Sequence, residues 1–166
     1  MAAKDLIVDP SQYDLNHVVA DIEEIRRFNP QRYEMEQLTA IVYEDFERGV
    51  CVGYKDHGPD EFWARGHMPG MPLLPGVLMC EAAAQMCSYY TIKYDLLGTK
   101  MIGFGGMDEV RFRDTVRPGD RLVVAAGGGS LRIERLQPAG KRVQTAGEFL
   151  RGYPVRAGQW FGPEPG

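Results

Sequence analysis

The chain has 166 residues, of which 44% are hydrophobic and 25% charged, enough apolar material for one packed domain and too much for a disordered chain. With 19 Lys and Arg against 23 Asp and Glu the net charge is −4, which argues against a protein that holds nucleic acid mainly through phosphate contacts. No apolar run reaches the roughly 18 residues of a membrane helix, and Met1 to Asp5 lack the apolar stretch of a secretory signal, so a cytoplasmic location is expected. Cys51, Cys80 and Cys87 are an odd set for internal disulfides, and neither their spacing nor the scattered His17, His57 and His67 fits a zinc site.

The charge is unevenly spread. Residues 1–110 hold 9 basic and 18 acidic side chains, residues 111–166 hold 10 and 5, and eight of the latter ten basic residues lie between Arg111 and Arg142. Solvated strand faces would account for this; so would a docking surface for an acidic partner.

In chain order, Asp21-Ile22-Glu23-Glu24 has the pattern of a capping box. Ile22, Ile25 and Phe28 then make a short amphipathic helix that Asn29-Pro30 stops. Residues 38–43 are rich in β-formers, and Cys51 to Tyr54 continue as a hairpin partner across a turn near Arg48-Gly49. His57 to Asp60 form a loop. Residues 66–76 carry Pro69, Pro72, Pro75 and Gly66, Gly70, Gly76, which excludes helix and regular strand and predicts a stiff extended segment ordered by its prolines. Residues 77–92 follow as a helix that is apolar on nearly all sides, and so one expected to be buried all round. Beyond Gly98 the pattern turns to strands, from Met101 to Met107 and around Val110 and Phe112. After a turn at Pro118-Gly119-Asp120, further strands are expected at Leu122 to Ala126, Leu131 to Leu136 and Val143 to Leu150. Residues 152–166 read as an irregular tail. One long helix and about six strands, mostly joined by hairpin-length turns, predict an α+β fold with an antiparallel sheet curled around the helix.

Three features in this frame point to chemistry. Glu81 lies in the middle of the apolar helix, where a carboxyl needs a partner or its neutral form. Gln85, four residues on and on the same face, can orient it; the plain alternative is that Glu81 sits on a wet face of the helix. His67 is the one histidine placed near the start of that helix, and a near-neutral imidazole with a carboxylic acid in an apolar pocket makes an acid–base pair. Pro75-Gly76 open the helix, leaving the first N–H groups free to hold a carbonyl oxygen that gains negative charge. A base, an acid and an oxyanion donor are what elimination of water from a 3-hydroxyacyl thioester requires.

The stretch from Gly66 through Gln85, GHMPGMPLLPGVLMCEAAAQ, closely resembles the signature of the FabZ-type 3-hydroxyacyl-(acyl-carrier-protein) dehydratases, with every spacing kept. Residues 108–113 continuing to 116–120, and the segment Pro30-Gln31-Arg32-Tyr33, are similar to further parts of that family. The resemblance covers roughly residues 21–150. It implies a hotdog fold over residues 1–151, with the tail appended, in a homodimer that often assembles further into a hexamer. It also implies active sites shared between subunits, with His67 of one chain as base facing Glu81 of the other as acid. Gly76, with Val77 beside it, would bind the thioester carbonyl, and Pro75 and Gln85 would support the site. It implies no metal and no organic cofactor, and an acidic acyl carrier protein as the bearer of the substrate. Glu81, rather than Asp, resembles the FabZ type more than the FabA type, which also isomerises its product.

The chain departs from the family pattern at Met68, where Phe is usual, at Gln31, where His is common, and at Glu34, Met35 and Glu36, where apolar residues are usual. Two other classes compete with a dehydratase: a hotdog thioesterase, which would activate water against the same carbonyl, and a non-catalytic acyl-binding subunit that keeps only the tunnel.

Overall fold

In a computed structural model of the protein, residues 7–108, 110, 112 and 114–127 are described in full, with the strand backbones at 135–136 and 144–145. The first helix, α1 (Ile22–Phe28), begins where the Asp21 side chain accepts a hydrogen bond from Glu24 N–H at 2.9 Å and ends where Asn29 N–H reaches back to Ile25 O. Its acidic first turn and basic last turn suit the helix dipole. Two strands follow, β1 (Ala40–Asp45) and β2 (Val50–Asp56), as an antiparallel hairpin. The turn falls where Arg48-Gly49 predicts it: Gly49 has φ +63°, a value glycine adopts without a steric penalty. Between Ile41 and Tyr43 the register slips by one residue, a bulge that lets Val42 and Tyr43 both pack towards one face of the sheet.

The third strand, β3 (Arg121–Gly127), pairs antiparallel with β2 from Val50↔Gly127 to Asp56↔Arg121, so the sheet order is β1-β2-β3. These two neighbours are not joined by a hairpin turn. The whole connection from His57 to Asp120, with the long helix inside it, runs between them. Pro118-Gly119 make the final turn into β3, with Gly119 at φ +94° and Asp120 N–H on Arg117 O.

The long helix, α2 (Gly76–Lys93), extends one residue beyond its expected bounds at each end. Ala82, Met86, Tyr89 and Tyr90 pack with Ile41, Cys51 and Val124 from the sheet and Ile25 from α1, and Phe28 meets Tyr89 edge-on at 5.6 Å. The other face of the sheet is covered by the N-terminal segment, where Val8, Tyr13 and Leu15 pack on Ala40, Val42, Val50, Val52 and Tyr54. This second layer has no counterpart in the sequence reading.

Two expectations are corrected. The helix is not buried all round: its buried residues are Ala82, Gln85, Met86, Tyr89 and Tyr90, one stripe at helical spacing. Val77 and Cys87 are exposed. The described sheet covers one side of the helix, and apolar composition by itself supplies no neighbour for the other. Met101 to Met107 form no strand, and neither do Val110 and Phe112. A strand needs a paired neighbour for its backbone groups, and among the described residues none pairs with this segment. Met101, Phe104, Met107, Val110 and Phe112 are all exposed.

The chain divides into two units, Met1–Gly129 and Ser130–Gly166. In the second, β4 (Arg135–Leu136) and β5 (Gln144–Thr145) form an antiparallel pair. They fall within the strands expected at 131–136 and 143–150; the remainder of those strands, the tail from 152 and most of the basic stretch between Arg111 and Arg142 lie outside the described residues. No described helix is long and apolar enough to cross a membrane.

Candidate active site

His67 is held by a loop tied to itself. Met68-Pro69-Gly70-Met71 close a turn, with Met71 N–H on Met68 O at 2.9 Å and Gly70 at φ +79°, the conformation a Pro-Gly turn supplies. His67 N–H donates to Trp63 O, and Leu73 N–H donates to His67 O, each at 2.8 Å. Leu74 N–H then anchors the loop to Val116 O at 2.8 Å. The segment is thus ordered by local backbone hydrogen bonds as well as by its prolines.

The imidazole Nδ1 lies 2.8 Å from Leu73 O. A carbonyl oxygen only accepts, so Nδ1 carries the hydrogen. In the neutral ring the lone pair is then on Nε2, and His67 is exposed. The arrangement is that of a positioned base.

Glu81 is half-buried, between the fully buried acid and the wet-face residue that the sequence allows. Its Oε1 accepts from Gln85 Nε2 at 2.7 Å, the i,i+4 contact expected of this pair. Gln85 itself is 2% exposed and has its polar groups satisfied. Its Nε2 also donates to Met35 O at 2.7 Å, its Oε1 accepts from Gln37 N–H at 2.9 Å, and its backbone carbonyl accepts from Asn29 Nδ2 at 2.9 Å. Of the departures at Glu34, Met35 and Glu36, Met35 touches Gln85 through its backbone carbonyl, which any residue can supply. The Glu36 side chain is held by the Arg26 guanidinium through two hydrogen bonds, which keep its carboxyl below the usual range.

Pro75 caps α2 without a side-chain hydrogen bond, and Gly76 and Val77 form its first turn. Leu78 N–H is taken by Pro75 O. A Cβ on Gly76 would sit 2.6–2.9 Å from the Phe112 ring, so glycine here allows close approach to the helix end. Among the described residues no hydrogen bond or ion pair joins His67 to Glu81. Around the helix start, Met68, Met71, Val77 and Phe112 are exposed apolar groups.

Sequence reasoning missed Trp63, Leu73, Asn29 and Gln37. Asn29 was legible only as a helix stop, and the other three act partly or wholly through backbone atoms. It also read His57 as a polar loop residue. The His57 side chain is 1% exposed and stacks edge-on to the buried Trp63 ring at 5.7 Å. Burial pushes its titration below the ordinary imidazole value, against the opposing pull of Glu61 3.5 Å away.

A family model described as FabA-like domain matches residues 29–140. A protein of Clostridium botulinum (strain Okra / Type B1) named 3-hydroxyacyl-(acyl-carrier-protein) dehydratase FabZ is 35% identical over 126 residues, covering 75% of this chain and 85% of that one. Proteins of the same name from Hydrogenobaculum sp. (strain Y04AAS1) and Desulfotalea psychrophila (strain LSv54 / DSM 12343) are 39% and 41% identical over 106 residues. These matches cover 63% and 62% of this chain and 71% and 69% of the relatives.

Proposed function

The chain belongs to the FabA-like domain family, and from that premise we propose that it eliminates water from a 3-hydroxyacyl thioester borne by acyl carrier protein, giving the trans-2-enoyl thioester. It is a hydro-lyase with the α+β hotdog arrangement of a sheet packed on one long helix. The observation that carries the assignment of roles is the hydrogen bond from His67 Nδ1 to Leu73 O.

His67 Nε2 takes the proton from the carbon next to the thioester carbonyl. The Gly76 N–H, at the positive end of α2, holds the carbonyl oxygen as negative charge gathers there. Glu81, steadied at Oε1 by Gln85, delivers its proton from the other oxygen to the departing hydroxyl. The C–O bond breaks, water leaves, and the electron pair of the broken C–H bond becomes the new C=C. Imidazolium and carboxylate then return to their starting forms by exchange with solvent. All the groups required are side chains and backbone of the protein.

The site is completed by a second copy of the chain, His67 of one subunit serving Glu81 of the other. Support comes from the other partners that His67 and Glu81 take among the described residues, Leu73 O and Gln85 Nε2, and from the exposed apolar groups at the helix start. The acyl carrier protein is an acidic, soluble partner, which suits a cytoplasmic enzyme. Arg121 is not among the residues that would greet it, since it is engaged by Asp56 at 2.6 and 2.9 Å and lies over the Tyr54 ring.

The test is turnover of 3-hydroxyacyl carrier protein, read as loss of one water by mass. His67→Ala and Glu81→Gln should each abolish enoyl formation while leaving the fold intact; full activity in either sinks the assignment, and release of free thiol in the wild type makes the protein a thioesterase. Mixing the two inactive variants tests the shared site. Random exchange in a two-fold dimer gives half heterodimers with one intact site of two, hence about a quarter of wild-type activity. No recovery, with exchange verified, places both groups in one chain.

A further inference from the structure

Beside Gln85 lies a cavity of about 10 Å³, lined by Arg26, Asn29, Gln31 and Glu36 among others. Two oxygens from these residues stand out. Asn29 is 3% exposed, and its amide orientation is fixed because Nδ2 donates to Gln85 O. Its Oδ1 is buried and accepts from no described protein group, and the same holds for Gln31 Oε1. Native proteins leave few buried acceptors unmatched, and two on residues lining one cavity can be met by one shared donor.

The size of the cavity suits one water molecule, which needs at least about 10–15 Å³. Water brings two O–H groups for two acceptors. It also needs a donor to its own oxygen, and Arg26 can supply one. A guanidinium has five N–H groups, and three of those on Arg26 are engaged, two by Glu36 and one by Glu23.

We propose that this cavity is a binding site for one ordered water, bridging Asn29 Oδ1 and Gln31 Oε1, and that through it Gln31 is a positioning residue for Glu81. The water completes the hydrogen bonding of the Asn29 amide and so reinforces it, Asn29 holds the α2 backbone at Gln85, and the Gln85 side chain holds the Glu81 carboxyl. Gln31 touches no substrate; its effect reaches the acid through Asn29 and Gln85. The second half of this inference rests on the dehydratase reading, whereas the first does not.

A crystal structure of the full chain, at a resolution that orders waters, should show a water within hydrogen-bond distance of both oxygens; density for none overturns the proposal. Gln31→Met keeps the shape and removes the acceptor, so it should lose that water and lower kcat about tenfold with KM unchanged, as expected when a catalytic group is held less well. Gln31→Glu restores an acceptor and should restore kcat. Unchanged kcat in Gln31→Met, or a loss that Gln31→Glu does not recover, overturns the positioning role. An inactive wild type that nonetheless holds the water refutes the dehydratase reading and leaves the water site standing.

Discussion

Gln85 carries more of the site than its single amide suggests, and Gln85→Leu measures how much. Leucine has nearly the same volume, so little cavity results; what changes is hydrogen bonding. Gln37 is 2% exposed, and its N–H loses its acceptor, Gln85 Oε1. A buried donor left without a partner costs about 1–3 kcal/mol. Met35 O loses Gln85 Nε2, but Met35 is exposed and water can replace much of that bond. The expected loss is therefore about 2–3 kcal/mol, dominated by one orphaned N–H. Urea titration should show a lower midpoint with an unchanged slope. Under conditions where the variant is folded, kcat should fall more than KM rises, because Glu81 has lost the group that orients it. A midpoint within error of wild type, or a defect confined to KM, would refute the reasoning.

Three further outcomes follow from the packing. A Cβ at Gly53 would stand 2.6 Å from Ala40 O and 2.9 Å from both Ile41 Cδ1 and Met86 Cε. Because the nearest atom is sheet backbone, Gly53→Ala should cost about 2–3 kcal/mol by overpacking; a thermal melt like that of wild type would contradict this. Gly76→Ala meets only the edge of the exposed Phe112 ring, so it should spare stability and cut turnover by crowding the oxyanion position, and unaltered turnover would remove Gly76 from the mechanism. His57 is buried and titrates below the ordinary value of 6.5. The unfolded chain thus binds the extra proton first, and the stability that neutral His57 contributes is complete above 6.5 and lost as pH falls towards its folded value. Urea midpoints should decline more steeply below pH 6.5 in wild type than in His57→Leu; parallel curves would refute it.

Much of the scaffold was legible because local chemistry decides it. Asp21 caps α1 as its spacing predicts, Gly49 marks the hairpin turn, and the i,i+4 spacing of Glu81 and Gln85 fixes their contact whatever surrounds them. What sequence reading missed depends on neighbours rather than on composition. The apolar letters of α2 say that the helix dislikes water, not which face the sheet covers. The apolar run at Met101 to Met107 reads as a strand, but a strand exists only where another backbone answers it. The uneven charge is similarly incomplete as a signal, since Arg121 is already engaged by Asp56.

Both candidate side chains, His67 and Glu81, are held by neutral partners, and the proposed chemistry depends on that. A carboxylate on His67 Nδ1 would favour the imidazolium, which has no lone pair to offer; the Leu73 carbonyl orients the ring and leaves Nε2 as the basic atom. An arginine or lysine on Glu81 would favour the carboxylate, which has no proton to give. The Gln85 amide can also donate to the carbonyl oxygen of a neutral acid. Each tether therefore orients the form that starts the elimination without adding a charge that favours the form that ends it. It follows that Gln85→Lys, although it keeps a donor at the same place, should harm turnover more than Gln85→Leu. If lysine were the milder change, orientation alone would be the role of residue 85, and the neutrality of the tether would be irrelevant.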